Sequence, residues 1–443
     1  MKYKAYNLHN YETVPQISQL NPEYKEAIEV VGRVLPFKTN NYVVNELINW
    51  NNLPADPVFT LNFPRKEMLL KKQYNDVLRL IKSGCPDELL KNKIGQIRMD
   101  LNPNTAGQKH NVPVMEQQKL QGIQHKYRET VLFFPAHGQT CHAYCTFCFR
   151  WPQFSGMNNF KFSMHEAGLF YKYLKTKLKV TDVLFTGGDP LVMSASALIA
   201  YIEPLLGKEF AHIRTIRLGT KSLAYWPYRF LTDNDSDELL AFFEKVVKSG
   251  KNLTIQAHFN HPAELSTEAV KHAIARIRNT GSQIRTQSPL LGKINDHPAI
   301  WAEMWRKQVD LGCIPYYMFV ARDTGAKSFF ELPLEKCWQI YRKAYSSVSG
   351  TCRTVRGPSM STYAGKIQIL GITEINNEKH FVLRFLQGRN PDWVDIPFFA
   401  KYDPEATWFN QLKPSFGHEK FFFENDSHTH KHLNKYDINF DFE

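Results

Sequence analysis

An α/β fold with a mainly parallel sheet is the class that this 443-residue chain predicts. Short β-rich runs recur from about 130 to 320. Their spacing of roughly 30 to 50 residues leaves room for one crossover helix each. Residues of unusual chemistry cluster where those runs end, as they do in folds whose sites sit at the carboxyl edge of the strands. Periodicity alone leaves a doubly wound sheet and a full or partial barrel both open.

Residues 1–120 carry helical patterns at 26–35 and 66–83, broken by the Pro-containing stretch 53–64, and read as a helical N-terminal extension. Across 121–385 the candidate strands are TVLFFP near 130, TDVLFTGG at 181, TIRLGT at 215, LTIQAHF at 253, QIRTQSP at 283 and IPYYMFV at 314. Residues 386–443 read as a C-terminal extension ending in a partly ordered tail. That tail holds three phenylalanines at 421–423 and histidines at 428, 430 and 432, for which a polar tail is a plainer reading than a metal tract.

Composition narrows the class. Hydrophobic residues make up 43% and charged residues 22%, the balance of a globular enzyme. No run reaches the roughly 18 apolar residues of a membrane span, and the opening MKYKAYNLHNYETVP lacks the apolar core of an export signal, so a cytoplasmic protein without a membrane is expected. The net charge of +12 favours anionic partners, but residues 401–443 hold 5 basic and 8 acidic residues and no basic run marks a nucleic-acid arm. Seven cysteines, an odd number, argue against a disulfide framework.

Three of those cysteines, Cys141, Cys145 and Cys148, fall in TCHAYCTFCFR just after a candidate strand. Three thiolates so close can share one metal centre, yet they are one ligand short of a four-cysteine zinc or iron–sulfur site. The open position implies an exchangeable ligand; a zinc knuckle completed by His142 is the alternative. In TDVLFTGGDPL the strand ends in Gly187, Gly188 and Asp189, where glycines let backbone approach a ligand.

The cysteine spacing resembles that of the radical S-adenosylmethionine superfamily. Over roughly 35–385 the chain is similar to the lysine 2,3-aminomutase family, through LPFKTNNY at 35, GIQHKYRETVLF at 122, the cysteine loop, the Gly-Gly-Asp strand, IRLGT at 216, AHFNHP at 257, TQSPLLGKIND at 286 and IPYYMF at 314. The resemblance implies a partial parallel (β/α)6-type barrel, usually oligomeric, holding a 4Fe-4S cluster, S-adenosylmethionine and pyridoxal phosphate near its mouth. A flavodoxin- or ferredoxin-type reductant would serve the cluster. It implies that Cys141, Cys145 and Cys148 hold the cluster and that Gly187, Gly188 and Asp189 help to seat S-adenosylmethionine. His258 and Gln287 would face the cofactor, Lys126 and Tyr127 would contact pyridoxal phosphate, and Arg150 would hold the substrate carboxylate, a task that suits its bidentate fork.

The chain departs from that pattern at the pyridoxal loop. By ungapped alignment Tyr363 holds the lysine position, and a phenol cannot condense with the cofactor aldehyde; Lys366, three residues on, is the replacement. Thr130 stands where a phosphate-binding arginine belongs. The two aspartates that bind the lysine ammonium become Arg322 and Arg356, with Asp323 one residue along. Two cations about 4 Å from an ammonium would each cost on the order of 4 kcal/mol. The expectation is therefore a radical S-adenosylmethionine enzyme that abstracts hydrogen from a small anionic, amino-acid-like substrate. Alternatives are a pyridoxal-dependent aminomutase using Lys366, an RNA-modifying radical enzyme, and a non-catalytic barrel. Asn260 and His261 read as caps of a helix beginning near Pro262.

Overall fold

The computed structural model describes residues 1–103, 111–157 and 162–425. The histidines at 428, 430 and 432 lie outside the described residues. One sheet of eleven strands, in unbroken sequence order, organises the chain. Its strands are β1 (Ile123–Tyr127), β2 (Thr130–Phe133), β3 (Asp182–Phe185), β4 (Thr215–Thr220), β5 (Asn252–His258) and β6 (Gln283–Leu290). They continue as β7 (Ile314–Val320), β8 (Arg356–Ser361), β9 (Gly365–Ile375), β10 (Glu378–Gly388) and β11 (Pro397–Lys401).

Strands β2 to β8 are all parallel, whereas β1 and the last three pair antiparallel. Helices α1 (Pro22–Val34), α2 (Lys71–Lys82) and α3 (Asp87–Asp100) precede the sheet. Helices α4 (Ala167–Thr176), α5 (Ala195–Ile202), α6 (Ser236–Lys248), α7 (Glu268–Asn279), α8 (Pro298–Asp310) and α9 (Leu334–Ser346) then cross between successive strands from β2 to β8. Six strand–helix units of this kind curl into the expected partial barrel. All six candidate strands are present.

Alternation builds the wall. In β5, Leu253, Ile255 and Ala257 are buried hydrophobics, while Thr254, Gln256 and His258 take the opposite parity and turn into the barrel. The crossover helices match this outer face with apolar stripes, such as Leu239, Phe242, Phe243 and Val246 of α6. Each such side chain contributes about 1.5–3 kcal/mol on burial. Side-chain caps set the helix starts: Ser194 accepts from the Ala197 amide and Thr267 from the Val270 amide.

Three expectations shift. The 66–83 pattern divides into a short 3-10 turn, Lys66–Met68, and α2, because Leu69 and Leu70 are extended. The boundary at 385 cuts through β10: β9 and β10 form a long hairpin turned by Asn376 and Asn377, both at positive φ, and the sheet runs on to Lys401. Last, Phe421 and Phe423 are buried against Phe398 and Phe409, so the phenylalanine run closes the far edge of the sheet. Among the described residues no helix is long and apolar enough to cross a membrane.

Candidate active site

The cysteine loop leaves the end of β2 and is held from two sides. From the N-terminal extension, Lys38 donates through Nζ to the Cys141 carbonyl at 2.7 Å and accepts through its own carbonyl from the Tyr144 amide. Asn40 donates to the His142 carbonyl, and the Thr146 amide donates to the Leu61 carbonyl. From the barrel, the Asp189 amide donates to the carbonyls of Gly138 and Thr140. The loop presses so closely on the end of β3 that a Cβ at Gly188 would lie 2.3 Å from the Thr140 carbonyl oxygen. At Gly187, with φ of +139°, it would lie 2.2 Å from the Gln139 amide. Only glycine fits at either position.

Asp189 does something other than face a ligand. Its carboxylate is buried and accepts from the Thr220 hydroxyl at 2.7 Å, the Lys221 amide at 2.8 Å, the Leu191 amide at 2.9 Å and the Ser222 hydroxyl at 3.0 Å. Burial raises its pKa, and these donors oppose that rise. Expected to help seat S-adenosylmethionine, Asp189 has its carboxylate turned to the protein, where it joins the ends of β3 and β4, and its amide holds the cysteine loop. The Oε1 of Gln139, close to Gly187, is buried without a hydrogen-bond partner.

The three thiols are half-buried and feel one another electrostatically. Burial pushes Cys148 up to about 11 and Cys145 up to about 12, and drives Cys141 well above its usual range, with Asp189 adding to the effect. They are protonated thiols until a metal supplies the positive charge that replaces the proton. Among the described residues no three His, Cys, Asp or Glu side chains stand ready for a single metal ion. His142 donates to or accepts from Ser222 at 2.9 Å and is committed there.

His258 stacks on Phe147 of the cysteine loop, centroids 5.8 Å apart, and burial with nearby Lys221 pushes it down to about 3. It is a neutral ring at the mouth. Gln287 sits beside it in register on β6. His261 caps the turn Pro262–Leu265 by accepting from the Ala263 amide, as expected. Asn260 does not cap it: Asn260 accepts from Lys221 Nζ at 2.8 Å and donates to Ser288 at 2.9 Å, bracing the ends of β4, β5 and β6. The buried pair of Lys221 and Glu264, at 2.7 Å, completes that brace and carried no signal in the sequence. Gln256, two residues below His258, is 2% exposed, and neither atom of its amide has a partner.

The opposite wall carries cations. Arg150 is held over Phe134 at 4.4 Å and Phe149 at 5.1 Å, and burial lowers its pKa to about 10. Arg322 lies over the same Phe149 ring at 5.6 Å and over Trp408 at 5.5 Å. It donates through Nη1 to the Ser361 carbonyl at 3.2 Å, stands 3.8 Å from Asp323, and leaves Nε buried without a hydrogen-bond partner. Lys126 donates to the Thr362 carbonyl, and burial with Arg389, Arg322 and Lys366 around it drives its pKa well down. Tyr127 sits among the same cations.

Lys366 begins β9 and reaches into the barrel, its Nζ 3.8 Å above the Tyr317 ring and 3.1 Å from Gln387 Oε1. Burial lowers its pKa to about 7. Tyr363 points elsewhere, under the Arg389 guanidinium at 4.5 Å. Thr130 is occupied at the amino end of the barrel, donating to Asp182, which Arg217 also binds. Arg356 corrects an expectation. It opens β8, is exposed, and shares the Tyr316 ring with Arg285, whereas Arg322 is tied to Ser361 at the other end of the same strand. Five residues of strand separate these ends by about 16 Å. Arg322 and Arg356 do not flank one group; the arginine that shares a ring with Arg322 is Arg150.

No family model matches the chain. A protein of Aquifex aeolicus, provisionally named an L-lysine 2,3-aminomutase, is 30% identical over 394 residues, 89% of this chain and 92% of that protein. The L-lysine 2,3-aminomutase of Clostridium subterminale is 26% identical over 275 residues, 62% of each chain. A radical SAM methyltransferase from Sphaerobacter thermophilus overlaps at a TM-score of 0.34 with 14% identity, covering 64% of this chain and 93% of that one, too loose a match to bear on function. With near full-length similarity to the Aquifex protein, with the Cys141–Cys145–Cys148 loop braced against Gly188 and with the partial barrel behind it, the chain belongs to the radical SAM, lysine 2,3-aminomutase-like family of enzymes.

Proposed function

We propose that this enzyme carries out hydrogen abstraction on an amino acid bearing a second anionic group, bound at the barrel mouth between the cysteine loop and the ends of β7 and β8. The observation that carries this reading is the pair of half-buried guanidinia, Arg150 and Arg322, that share the Phe149 ring. Among the described residues no carboxylate pairs with Arg150, and Arg322 has only the long contact to Asp323 at 3.8 Å. Two cations that share a single distant acid leave charge for the anions of a ligand to match. Arg150 follows the third cysteine by two residues, which places its fork beside the metal-binding loop.

The residues present fit the cofactors that the family implies. Cys141, Cys145 and Cys148 would hold the cluster, and Gln139 with the backbone at Gly187 and Gly188 would take the amino end of S-adenosylmethionine. When bound, these two groups together supply the radical that removes hydrogen. Pyridoxal phosphate also fits, at Lys366 rather than at position 363. A lysine whose pKa is brought to about 7 offers a free amine to an aldehyde near neutral pH. Lys126 is also driven well down by burial, and a bound phosphate would restore its charge. Aromatic rings at Tyr317 and Phe319 exclude water around Lys366 Nζ. Lysine is a poor substrate here because its distal ammonium would meet Arg322.

The test is anaerobic. Protein with a reconstituted cluster is reduced by dithionite with S-adenosylmethionine, and deoxyadenosine release is compared with glutamate, aspartate and lysine present. Stimulation by a dicarboxylic amino acid, lost in Arg322→Ala, is the expected result; equal or stronger stimulation by lysine overturns it. Borohydride after pyridoxal phosphate should fix the cofactor on Lys366, and peptide mapping that finds it elsewhere removes Lys366 from this role.

A further inference from the structure

The barrel mouth includes a piece of the C-terminal extension. After β11 the segment 402–412 turns back over the start of α9 and is fastened to the β7–α9 loop, which carries Arg322. The Leu334 amide donates to the Ala406 carbonyl at 2.8 Å, the Thr407 hydroxyl to Glu331 at 2.8 Å, and the Tyr402 hydroxyl to Glu335 at 2.6 Å. Gln411 accepts from the amides of Thr407 and Trp408 and so fixes the turn that presents the indole. Trp408 is 6% exposed, and the Arg322 guanidinium lies over its ring at 5.5 Å.

A guanidinium stacks on aromatic faces with its plane held, which leaves its edge donors to choose a partner. Arg322 has Nη1 spent on the Ser361 carbonyl and Nε turned toward Asp323 at 3.8 Å, and among the described residues no hydrogen bond engages Nη2, which is the free edge. Of the two rings that Arg322 lies over, Phe149 is shared with Arg150, whereas Trp408, from the C-terminal segment, serves Arg322.

We infer that Trp408 is a positioning residue for substrate recognition: by covering one face of Arg322 it aims the free edge of the guanidinium into the mouth, so that the C-terminal segment sets the preference for an anionic side group. This rests on the reading of Arg322 given above, and the experiment separates the two.

Binding of L-glutamate and of its neutral isostere L-glutamine is measured by anaerobic calorimetry on the full chain with cluster and S-adenosylmethionine. Trp408→Ala is expected to weaken glutamate by about tenfold, with glutamine changed less than twofold, and Trp408→Phe, which keeps an aromatic face, to recover most of the loss. Thr407→Val, which cuts the fastening to Glu331 and leaves the indole in place, is expected to move glutamate in the same direction by about threefold, a smaller loss because one hydrogen bond is removed. Equal weakening of both ligands, or a Trp408→Phe variant as impaired as Trp408→Ala, overturns the inference by showing general support of the mouth. A Trp408→Ala protein that does not fold passes the decision to Thr407→Val: unchanged glutamate affinity there overturns it. If Arg322→Ala binds glutamate as the parent does, or the parent does not distinguish the two ligands, the reading of Arg322 itself fails; loss in Arg322→Ala with none in Trp408→Ala defeats only the inference about Trp408.

Discussion

Two buried charges on opposite sides of the mouth invite comparison. Asp189, where β3 and β4 end, is a lone carboxylate surrounded by donors: two hydroxyls and two backbone amides meet it. Arg322, beyond β7, is a guanidinium lying over two aromatic rings, with one carbonyl taken and a single distant acid, Asp323 at 3.8 Å, facing its Nε. A polar group whose partners all come from the protein is part of the framework, whereas one left open reserves its capacity for something that arrives later. The barrel is divided along that line. The side of β3 to β6 braces the cysteine loop, and the side of β1 and β7 to β9 holds cations in wait.

The largest effect that sharpens this contrast should come from Asp189→Ala. Removing the carboxylate leaves four donors facing a buried gap and should cost about 3–5 kcal/mol in anaerobic urea unfolding. A loss under about 1 kcal/mol would place Asp189 on the ligand side after all. Next comes Lys366→Met in cofactor-free protein. The folded-state pKa of Lys366 is lowered from 10.5 to about 7, so between those values the unfolded chain binds the extra proton and stability rises with pH. Lys366→Met should flatten that rise by a few kcal/mol across the window, and an unchanged slope would show that the ammonium is solvated.

Arg322→Ala should do the reverse of Asp189→Ala. Stability should stay within about 1 kcal/mol of the parent or increase, because a buried charge with a weak partner is removed, while binding of a dicarboxylate should fall by about ten- to a hundredfold. If Arg322→Ala instead unfolds the protein, the two charges are alike and the division fails. The smallest effect belongs to Thr220→Val, which removes one of the four donors to Asp189 and should cost about 1 kcal/mol with no change in ligand preference.

Much of this was legible in the amino-acid order, for reasons that can be named. Each barrel strand is a β-branched or aromatic run of fixed parity, and the run ends in residues that no strand interior needs, such as Gly187-Gly188-Asp189. The cysteine loop was legible because three thiols in eight residues have few other uses. What stayed hidden depends on direction and distance. Arg356 and Arg322 look like equivalent charge reversals, and only the course of β8 shows that one marks its entry and the other its exit. Asn260 resembles a cap because asparagine often is one; its role as a brace depends on Lys221 and Ser288, remote in sequence. Gln256 is an ordinary strand residue until the barrel closes around it. Trp408 belongs to a stretch with no periodic signal.

The bonds by which Asp189 ties β3 to β4 and those that complete the mouth also differ in sequence separation. Asp189 reaches Thr220 and Ser222 across 31 and 33 residues. Thr407 meets Glu331 across 76, and Lys126 meets Thr362 across 236. Short separations close sooner than long ones, since less chain entropy is lost in forming them. The Asp189 corner can therefore take shape while the far wall is still unmade, whereas the cysteine loop gains its second support only when the N-terminal segment reaches it, since Lys38 meets Cys141 across 103 residues.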